Sequence, residues 1–397
     1  MSGSETSGGD PLAVWLLAIG QTLTYAALYY VFAALLPDLE AATGWTKAQL
    51  AAGPTLAFLI TAALTPLTGR LVDRGWGGEM LIYLPALGAL ALCGLAFAGS
   101  IAGWLAWWAV IGVAQAGSVY ETCFAFLTRR LGTAARAAII RVTLVAGFAS
   151  TLAFPLGDLL GRLLGGQGAL VAFAGIALIG VVPVNAVAVR RLRRRERAGN
   201  APVRAPAGLL QAALRRPAFW GISAMFGLCY LGHSVFITYA LVLFEDRGAT
   251  AAMAVLAASC IGPAQVAGRM ALLLNEHRVG NGGATIWALG SMVLAAGVLW
   301  LAGMAPLMIF AFAALQGAGI GLTSILRPVL IAQVLGRDGF GAISGAAAVA
   351  PILGGAAGPS VGAFLLGAGP EAVYGAGLAM AAFAFGIAFL LLRVRSA

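Results

Sequence analysis

Residues 47–75 read KAQLAAGPTLAFLITAALTPLTGRLVDRG: an apolar run over 47–68, then a polar turn in which an aspartate stands between two arginines. A helical run of about 20 apolar residues, rising about 1.5 Å per residue, matches a hydrocarbon core of about 30 Å. The run is one of a series. Apolar blocks recur at 12–35, 47–68, 80–99, 103–128, 138–158, 168–189, 217–243, 250–272, 283–303, 305–332, 340–366 and 371–392, twelve in all. Of the 397 residues, 61% are hydrophobic and 10% charged, whereas soluble domains carry about 25% charged residues. Mean hydropathy is +0.95. A water-soluble fold is excluded. Because lipid offers no partner to an open backbone N–H or C=O, the blocks are predicted to be closed helices. The fold class is an all-α membrane protein with twelve transmembrane helices.

The basic residues fix an orientation. With the N-terminus in the cytoplasm, 19 arginines fall in cytoplasmic segments: Arg70, Arg74, Arg129, Arg130, Arg136, those from Arg190 to Arg216, Arg269, Arg278, Arg337, Arg393 and Arg395. Only Lys47, Arg162 and Arg247 fall on the other side. This bias predicts a multi-pass protein of the cytoplasmic (inner) membrane with both termini in the cytoplasm. It also absorbs the net charge of +10 and the pI of 10.1. Nucleic-acid binding needs a folded basic surface, and these arginines cluster between apolar blocks instead, so nucleic acid is not an expected partner. Met1–Asp10 is polar and Gly/Ser-rich without a basic residue, so residues 1–11 are read as a cytoplasmic tail and not as a secretory signal. Cys93, Cys123, Cys229 and Cys260 all lie in apolar blocks without CxxC spacing. Buried free thiols are expected, with no disulfide framework and no metal site.

The longest interruption, Arg190–Arg216, opens with RRLRRRER and continues into a Gly/Pro-containing stretch. It divides the chain into an N-terminal six-helix bundle (12–189), a basic cytoplasmic linker (190–216) and a C-terminal six-helix bundle (217–393). The basic run either enforces topology or meets anionic headgroups of the membrane lipids. Internal repetition agrees with the division. Gly69-Arg70-Leu71 ends the second block and Gly268-Arg269-Met270 the eighth; Gln115 answers to Gln316 and Pro155 to Pro359 at nearly the same offset. Two tandem six-helix halves are one design of alternating-access transporters.

Gly69-Arg70-Leu71-Val72-Asp73-Arg74-Gly75 resembles the G-x-L-x-D-R signature of the major facilitator superfamily, and the resemblance covers the whole chain. It implies two pseudo-symmetric six-helix bundles and secondary transport by alternating access. It also implies that helices one, four, seven and ten line the cavity. Asp73 would cap and pair with neighbouring helices at the cytoplasmic side, with Arg129 or Arg130 as partner, and so stabilise one access state. Two departures stand out: the signature continues here as Trp76-Gly77-Gly78-Glu79, and the second copy has Leu272 and Leu273 where the acid and base would stand. The C-terminal gate is thus expected to be held less electrostatically. Tyr120-Glu121 through Gly147, with Arg327-Pro328 and Gly341-Ala342-Ile343-Ser344-Gly345, is similar to a bacterial branch near the monocarboxylate-porter-like members.

Ionisable groups inside apolar helices are costly and mark function or a permanent pairing; here they are Glu121, Arg141, His233 and Arg327. In the family, helices four and five face ten and eleven. Glu121, Arg141 and Arg327 would meet there as a structural ion pair, a gating or proton-coupling element, or an anion site. Arg327 is the candidate substrate contact, since its planar donor fork suits a carboxylate or phosphate. His233 either carries a coupling proton or is a neutral hydrogen-bonding group. Helical spacing adds polar faces. Gln21, Tyr25 and Tyr29 recur every four residues on helix one; Gln115, Ser118, Glu121 and Thr122 share an arc of about 120° on helix four. Tyr230 lines up with His233 on helix seven, and Gln316, Thr323 and Arg327 on helix ten. Each such residue is either an interhelical hydrogen-bonding group or part of a substrate path. Gly341/Gly345 and Gly354/Gly358/Gly362 have small-xxx-small spacing, for close packing or sliding.

No GxxxxGK[ST] loop occurs, so no nucleotide motor and no cofactor is expected. Ser344 lacks the preceding glycine of a serine nucleophile motif, which argues against an enzyme. The expected function is proton-coupled secondary transport of a small organic anion or metabolite by a monomer, because two intramembrane arginines stand against one glutamate. The alternatives are a multidrug or metabolite efflux antiporter and a transporter-like sensor or lipid-handling protein. The orientation is open to a direct check. In a cysteine-free background, a cysteine replacing Ala201 should react with impermeant maleimide only from the cytoplasmic side. Labelling from the opposite side would overturn the topology.

Overall fold

The computed structural model describes residues 10–196, 208–275 and 278–393. Met1–Gly9 of the expected tail, residues 197–207 of the expected linker and Arg395 lie outside the described residues. The described chain is helical and without strands. Its helices are α1 (Pro11–Thr24), α2 (Val31–Thr43), α3 (Lys47–Asp73), α4 (Gly77–Ala96), α5 (Ile101–Ala116), α6 (Tyr120–Leu131), α7 (Ala135–Ala146), α8 (Ala149–Gly175) and α9 (Val182–Glu196). They continue as α10 (Leu209–Leu214), α11 (Pro217–Thr238), α12 (Ala240–Asp246), α13 (Ala251–Leu274), α14 (Asn281–Leu301), α15 (Met308–Val334), α16 (Phe340–Gly367) and α17 (Pro370–Arg393).

Ten helical stretches among the described residues are long and apolar enough to cross a membrane, where the sequence predicts twelve helices. The expected blocks 103–128, 138–158 and 168–189 fall within one of the ten, Ile101–Arg193, a single stretch of 93 residues. The chain bends at Gly132 (φ 53°) and Gly165 (φ 68°), left-handed backbone that glycine adopts without a Cβ clash. Side chains cap the first turns of α1 and α3. Asp10 accepts from the N–H groups of Leu12 and Ala13 to cap α1, and Arg191 Nε donates to its other oxygen at 2.9 Å. Thr46 and Gln49 form a reciprocal capping box on α3.

The chain forms two compact units, Met1–Leu209 with Arg337–Ala346 and Leu210–Gly336 with Ala347–Ala397. The first unit packs Leu28, Leu35, Trp104, Trp108 and Phe173 into its core; the second packs Phe236, Phe244, Phe312 and Tyr374. The helix α16 divides between the units after Ala346.

Proline sets a specific problem in these helices, because it removes the N–H that would bond the carbonyl four residues earlier. In lipid that carbonyl needs another donor. Three are supplied by side chains of other helices. Pro54 frees the Leu50 carbonyl, and Trp104 Nε1 donates to it at 3.0 Å. Pro85 frees that of Leu81, and Asn185 Nδ2 donates at 2.7 Å. Pro359 frees that of Gly355, and Ser234 Oγ donates at 2.7 Å. Asn185 is fully buried, so removing it strands the Leu81 carbonyl. Asn185→Ala should cost about 1–2 kcal/mol in thermal unfolding. In a Pro85→Ala background, which restores the helical donor, the same change should cost clearly less. Equal costs in the two backgrounds would refute the pairing.

Candidate functional site

In the first unit, two helices that the sequence predicts to be continuous are interrupted. Between α1 and α2 the residues Tyr25–Tyr29 form a π-helical turn, a widening found often at functional sites. Between α5 and α6 the chain leaves helical geometry at Gly117–Val119. The two interruptions are tied to each other. Gln115 Nε2 donates to the carbonyl of Leu28 inside the π turn at 2.7 Å, and Gln21 Nε2 donates to the carbonyl of Ser118 at 2.8 Å. Thr61 Oγ1 donates to Gln115 Oε1 at 3.3 Å and so orients the amide. Gln21 and Gln115 are therefore buried backbone partners, at 0% and 2% exposure. Ser118 and Thr122 return their hydroxyls to main-chain carbonyls of Ala114 and Ala116.

The arc of Gln115, Ser118, Glu121 and Thr122 expected on one helix is thus split between two. Glu121 stands in the first turn of α6, half-buried, where the partial positive end of a helix favours a carboxylate. Tyr25 and Tyr29 keep the expected shared face, with ring centroids 5.4 Å apart, and Tyr25 reaches Tyr120 at 4.5 Å. Arg141 lies half-buried in α7.

Asp73 ends α3. Its two carboxylate oxygens accept the main-chain N–H groups of Gly341 and Ala342, each at 2.8 Å. These are unpaired donors of the first turn of α16, so one side chain caps that helix from a distance. Arg129 Nη1 donates to the Asp73 main-chain carbonyl. The expected arginine partner is present, but its bond goes to the backbone, since the carboxylate is already occupied by two N–H donors. Close approach makes this possible. A Cβ on Gly69 would lie 1.9 Å from the Gly341 carbonyl oxygen, and one on Gly345 would lie 2.3 Å from that of Thr65. Two further glycines of α16 serve the second unit: Gly354 and Gly358 lie against Gly227 and Ser234 of α11.

In the second unit α15 is unbroken. Gln316, Thr323 and Arg327 are all buried on it, Arg327 to 5% exposure, and Thr323 bonds back to the Ile320 carbonyl. His233 Nδ1 lies 3.4 Å from Gln316 Nε2, while Tyr230 is half-buried one turn earlier in α11. The sequence reading counts Arg269 among the cytoplasmic arginines, but the structure buries it. Gly268-Arg269-Met270, the second copy of the triplet, holds this arginine at 6% exposure, its Nε donating to the Gly321 carbonyl at 2.9 Å, whereas Arg70 is exposed. Its place in the repeated triplet was the available signal. Beyond the helices, Arg247 bonds Glu371 at 2.7 Å and lies 3.9 Å from the Tyr374 ring centre. Burial works against its charge, but the Glu371 hydrogen bond and Tyr374 outweigh it and raise the pKa above the ordinary value. Among the described residues, no three His, Cys, Asp or Glu side chains gather as a metal site would require.

The sequence matches the family model of the Major Facilitator Superfamily over residues 17–350. The chain belongs to that superfamily, whose members move small-molecule substrates across membranes; it is a multi-pass membrane transporter and not an enzyme. Solved structures with this fold include the human organic anion transporter MFSD10 (TETRAN), at 17% identity and TM-score 0.71, covering 96% of this chain and 100% of that one. A bacterial homologue of the iron transporter ferroportin, in an outward-facing state, aligns at 16% identity and TM-score 0.74 over 96% and 99% of the two chains. FucP in the outward conformation aligns at 14% identity and TM-score 0.71 over 95% and 98%. At these identities the likeness is one of fold. No curated protein matches the sequence.

The Asp73 cap gives a measurable expectation. Asn at this position keeps one acceptor and turns an N–H₂ group toward a donor, so about 1.5–3 kcal/mol of charge-assisted bonding is lost. Asp73→Asn should lower turnover in proteoliposomes by roughly tenfold or more while leaving substrate affinity within about twofold, a shift of about 1.4 kcal/mol being tenfold. Transport at the wild-type rate would refute a role for the cap in the cycle.

Proposed function

We propose that this chain is a proton-coupled secondary transporter that works by alternating access and moves a small organic anion across the cytoplasmic membrane. In this reading twelve helices cross the membrane in two six-helix bundles, with both termini and the basic linker on the cytoplasmic side. The chain works as a monomer among membrane lipids, in the bacterial, monocarboxylate-porter-like branch. The observation that carries the anion is Arg327. It is buried to 5% exposure in the C-terminal third of a 27-residue apolar helix, on the same stripe as Gln316 and Thr323. An arginine inside an apolar helix stays charged, and its planar donor fork suits a carboxylate or phosphate. A substrate anion that binds and leaves that fork makes binding part of a cycle. The human relative in fold described as an organic anion transporter supports the same class.

Glu121 is the proposed proton carrier and Arg141 its neighbour in gating. His233, beside Gln316, is the second proton candidate, with Tyr230 on its face. Asp73, by capping α16, holds one access state until the helix end is released. Gln21 and Gln115 enter the substrate path through the main-chain breaks that they hold, and Tyr25 and Tyr29 through their rings. A second reading, efflux of multiple drugs or metabolites, is favoured by those accessible rings, one of which, Tyr29, is 41% exposed. A transporter-like sensor or lipid-handling protein would differ from both in showing no gradient-driven uptake.

Two variants test the leading reading in proteoliposomes. Arg327→Lys keeps the charge and loses the bidentate fork, so anion affinity should fall by about tenfold. Glu121→Gln should abolish dependence on the proton gradient while substrate exchange continues. Normal transport with unchanged pH dependence in both variants would reduce Glu121, Arg141 and Arg327 to structural groups and remove the anion assignment.

A further inference from the structure

Rings from four helical segments of the first unit converge at the π turn. Tyr25 and Tyr29 belong to the turn itself and Tyr30 follows it; Phe58 comes from α3, Tyr120 from α6 and Phe154 from α8. The contacts form a chain. Tyr120 meets Tyr25 at 4.5 Å between centroids, Tyr25 meets Tyr29 at 5.4 Å, Tyr29 meets Phe58 at 5.3 Å and Tyr30 at 5.0 Å, and Tyr30 meets Phe154 at 6.3 Å.

This cluster differs from the unit's packed core in two ways. The large core aromatics, Trp104, Trp108, Phe126 and Phe173, are at most 1% exposed. By contrast Tyr29 is 41% and Phe154 46% exposed, and the other four rings are half-buried. The core set also contains no tyrosine, whereas four of the chain's eight tyrosines stand in the cluster. A phenol hydroxyl turned to hydrocarbon is costly. Tyrosine belts at the membrane interface are the usual exception, but Tyr25–Tyr30 lie near the middle of the 33-residue stretch Pro11–Thr43. At that depth the rings are not an interfacial belt, and their partial exposure sets them apart from the packed core.

The backbone is built around the same rings. The π turn that carries Tyr25 and Tyr29 persists because Gln115 bonds its Leu28 carbonyl, and the break that carries Tyr120 persists because Gln21 bonds the Ser118 carbonyl. The Tyr25 ring meets that of Tyr120, which Glu121 follows in the first turn of α6. Without the two interruptions, the rings of the π turn and of α6 would be rephased.

We propose that Tyr25, Tyr29, Tyr30 and Tyr120, with Phe58 and Phe154, form a stacking site for a planar aromatic ring of the transported molecule. The proposal rests on the reading of the chain as a substrate-binding transporter and adds the substrate's shape. Offset and edge-on stacking on such rings adds selectivity of roughly two- to tenfold beyond what apolar area gives. The rings do not set the charge of the substrate, which belongs to the groups discussed above.

The test is equilibrium binding to the purified full-length protein in nanodiscs with two matched pairs of labelled probes: benzoate against cyclohexanecarboxylate, and benzylamine against cyclohexanemethylamine. At least one aromatic member should bind roughly two- to tenfold tighter than its saturated partner. Tyr29→Leu and Phe154→Leu should each bring that ratio toward one, while Tyr29→Phe should keep it. Both positions are exposed enough for leucine to be tolerated, and a thermal melt of each variant verifies the fold. A wild-type protein that distinguishes neither pair, or a ratio unchanged in both leucine variants, overturns the stacking site. The anion reading fails separately. A ring preference seen only with the amines retains the site and removes the anion, whereas equal binding of benzoate and cyclohexanecarboxylate, with no preference among the amines, removes the site and retains the anion.

Discussion

A backbone carbonyl without a donor has no recourse in lipid, and five carbonyls at departures from regular helix in this protein are met by a side chain from another segment. Trp104, Asn185 and Ser234 supply the donors that Pro54, Pro85 and Pro359 withhold. Gln115 and Gln21 do the same for the π turn and for the break before α6. Lipid tails are as apolar as leucine, so little hydrophobic force draws helices together in the membrane. Interhelical hydrogen bonds, at about 0.6–2 kcal/mol each, then carry weight that they would lack in a soluble core. The irregular backbone at the candidate site stands because these donors are in place.

Where the chain must bring backbones together, it uses glycine and a helix end. Gly69, Gly341 and Gly345 allow the start of α16 to lie against α3, and Asp73 then meets the exposed N–H groups with a full negative charge. The contact combines charge-assisted hydrogen bonds with the favourable end of the helix dipole, so it is strong but local. Breaking it requires only that one helix end move. The repeated triplet in the second unit is used otherwise. There Arg269 turns inward to the Gly321 carbonyl, and leucines occupy the positions of Asp73 and Arg74. Two halves with matching sequence landmarks thus hold their helix ends by different chemistry.

The two units carry different candidate residues. The second unit offers a straight helix with a buried arginine, threonine and glutamine on one stripe. The first offers interrupted helices, a carboxylate at a helix start and a run of tyrosine rings.

Much of this was written in the linear chain. Block length and composition determine a helical membrane protein, and the G-R-L-V-D-R run identifies its family, because both depend on the identity and order of neighbouring residues. Periodicity also reads α15 correctly, since that helix is unbroken and its 3.6-residue geometry holds from Gln316 to Arg327. It misreads the face of Gln115 through Thr122, because a periodic argument assumes the continuity that Gly117–Val119 interrupts. Nor does it show that Gln21 and Gln115 are spent on carbonyls 97 and 87 residues away. It cannot show Phe58, Tyr120 and Phe154 gathering with Tyr25, Tyr29 and Tyr30, or Asp73 meeting an N–H 268 residues on. Those facts are pairings between distant segments. Local sequence sets which helices form and which groups need partners, and only the packing of the helices decides which partner each one receives.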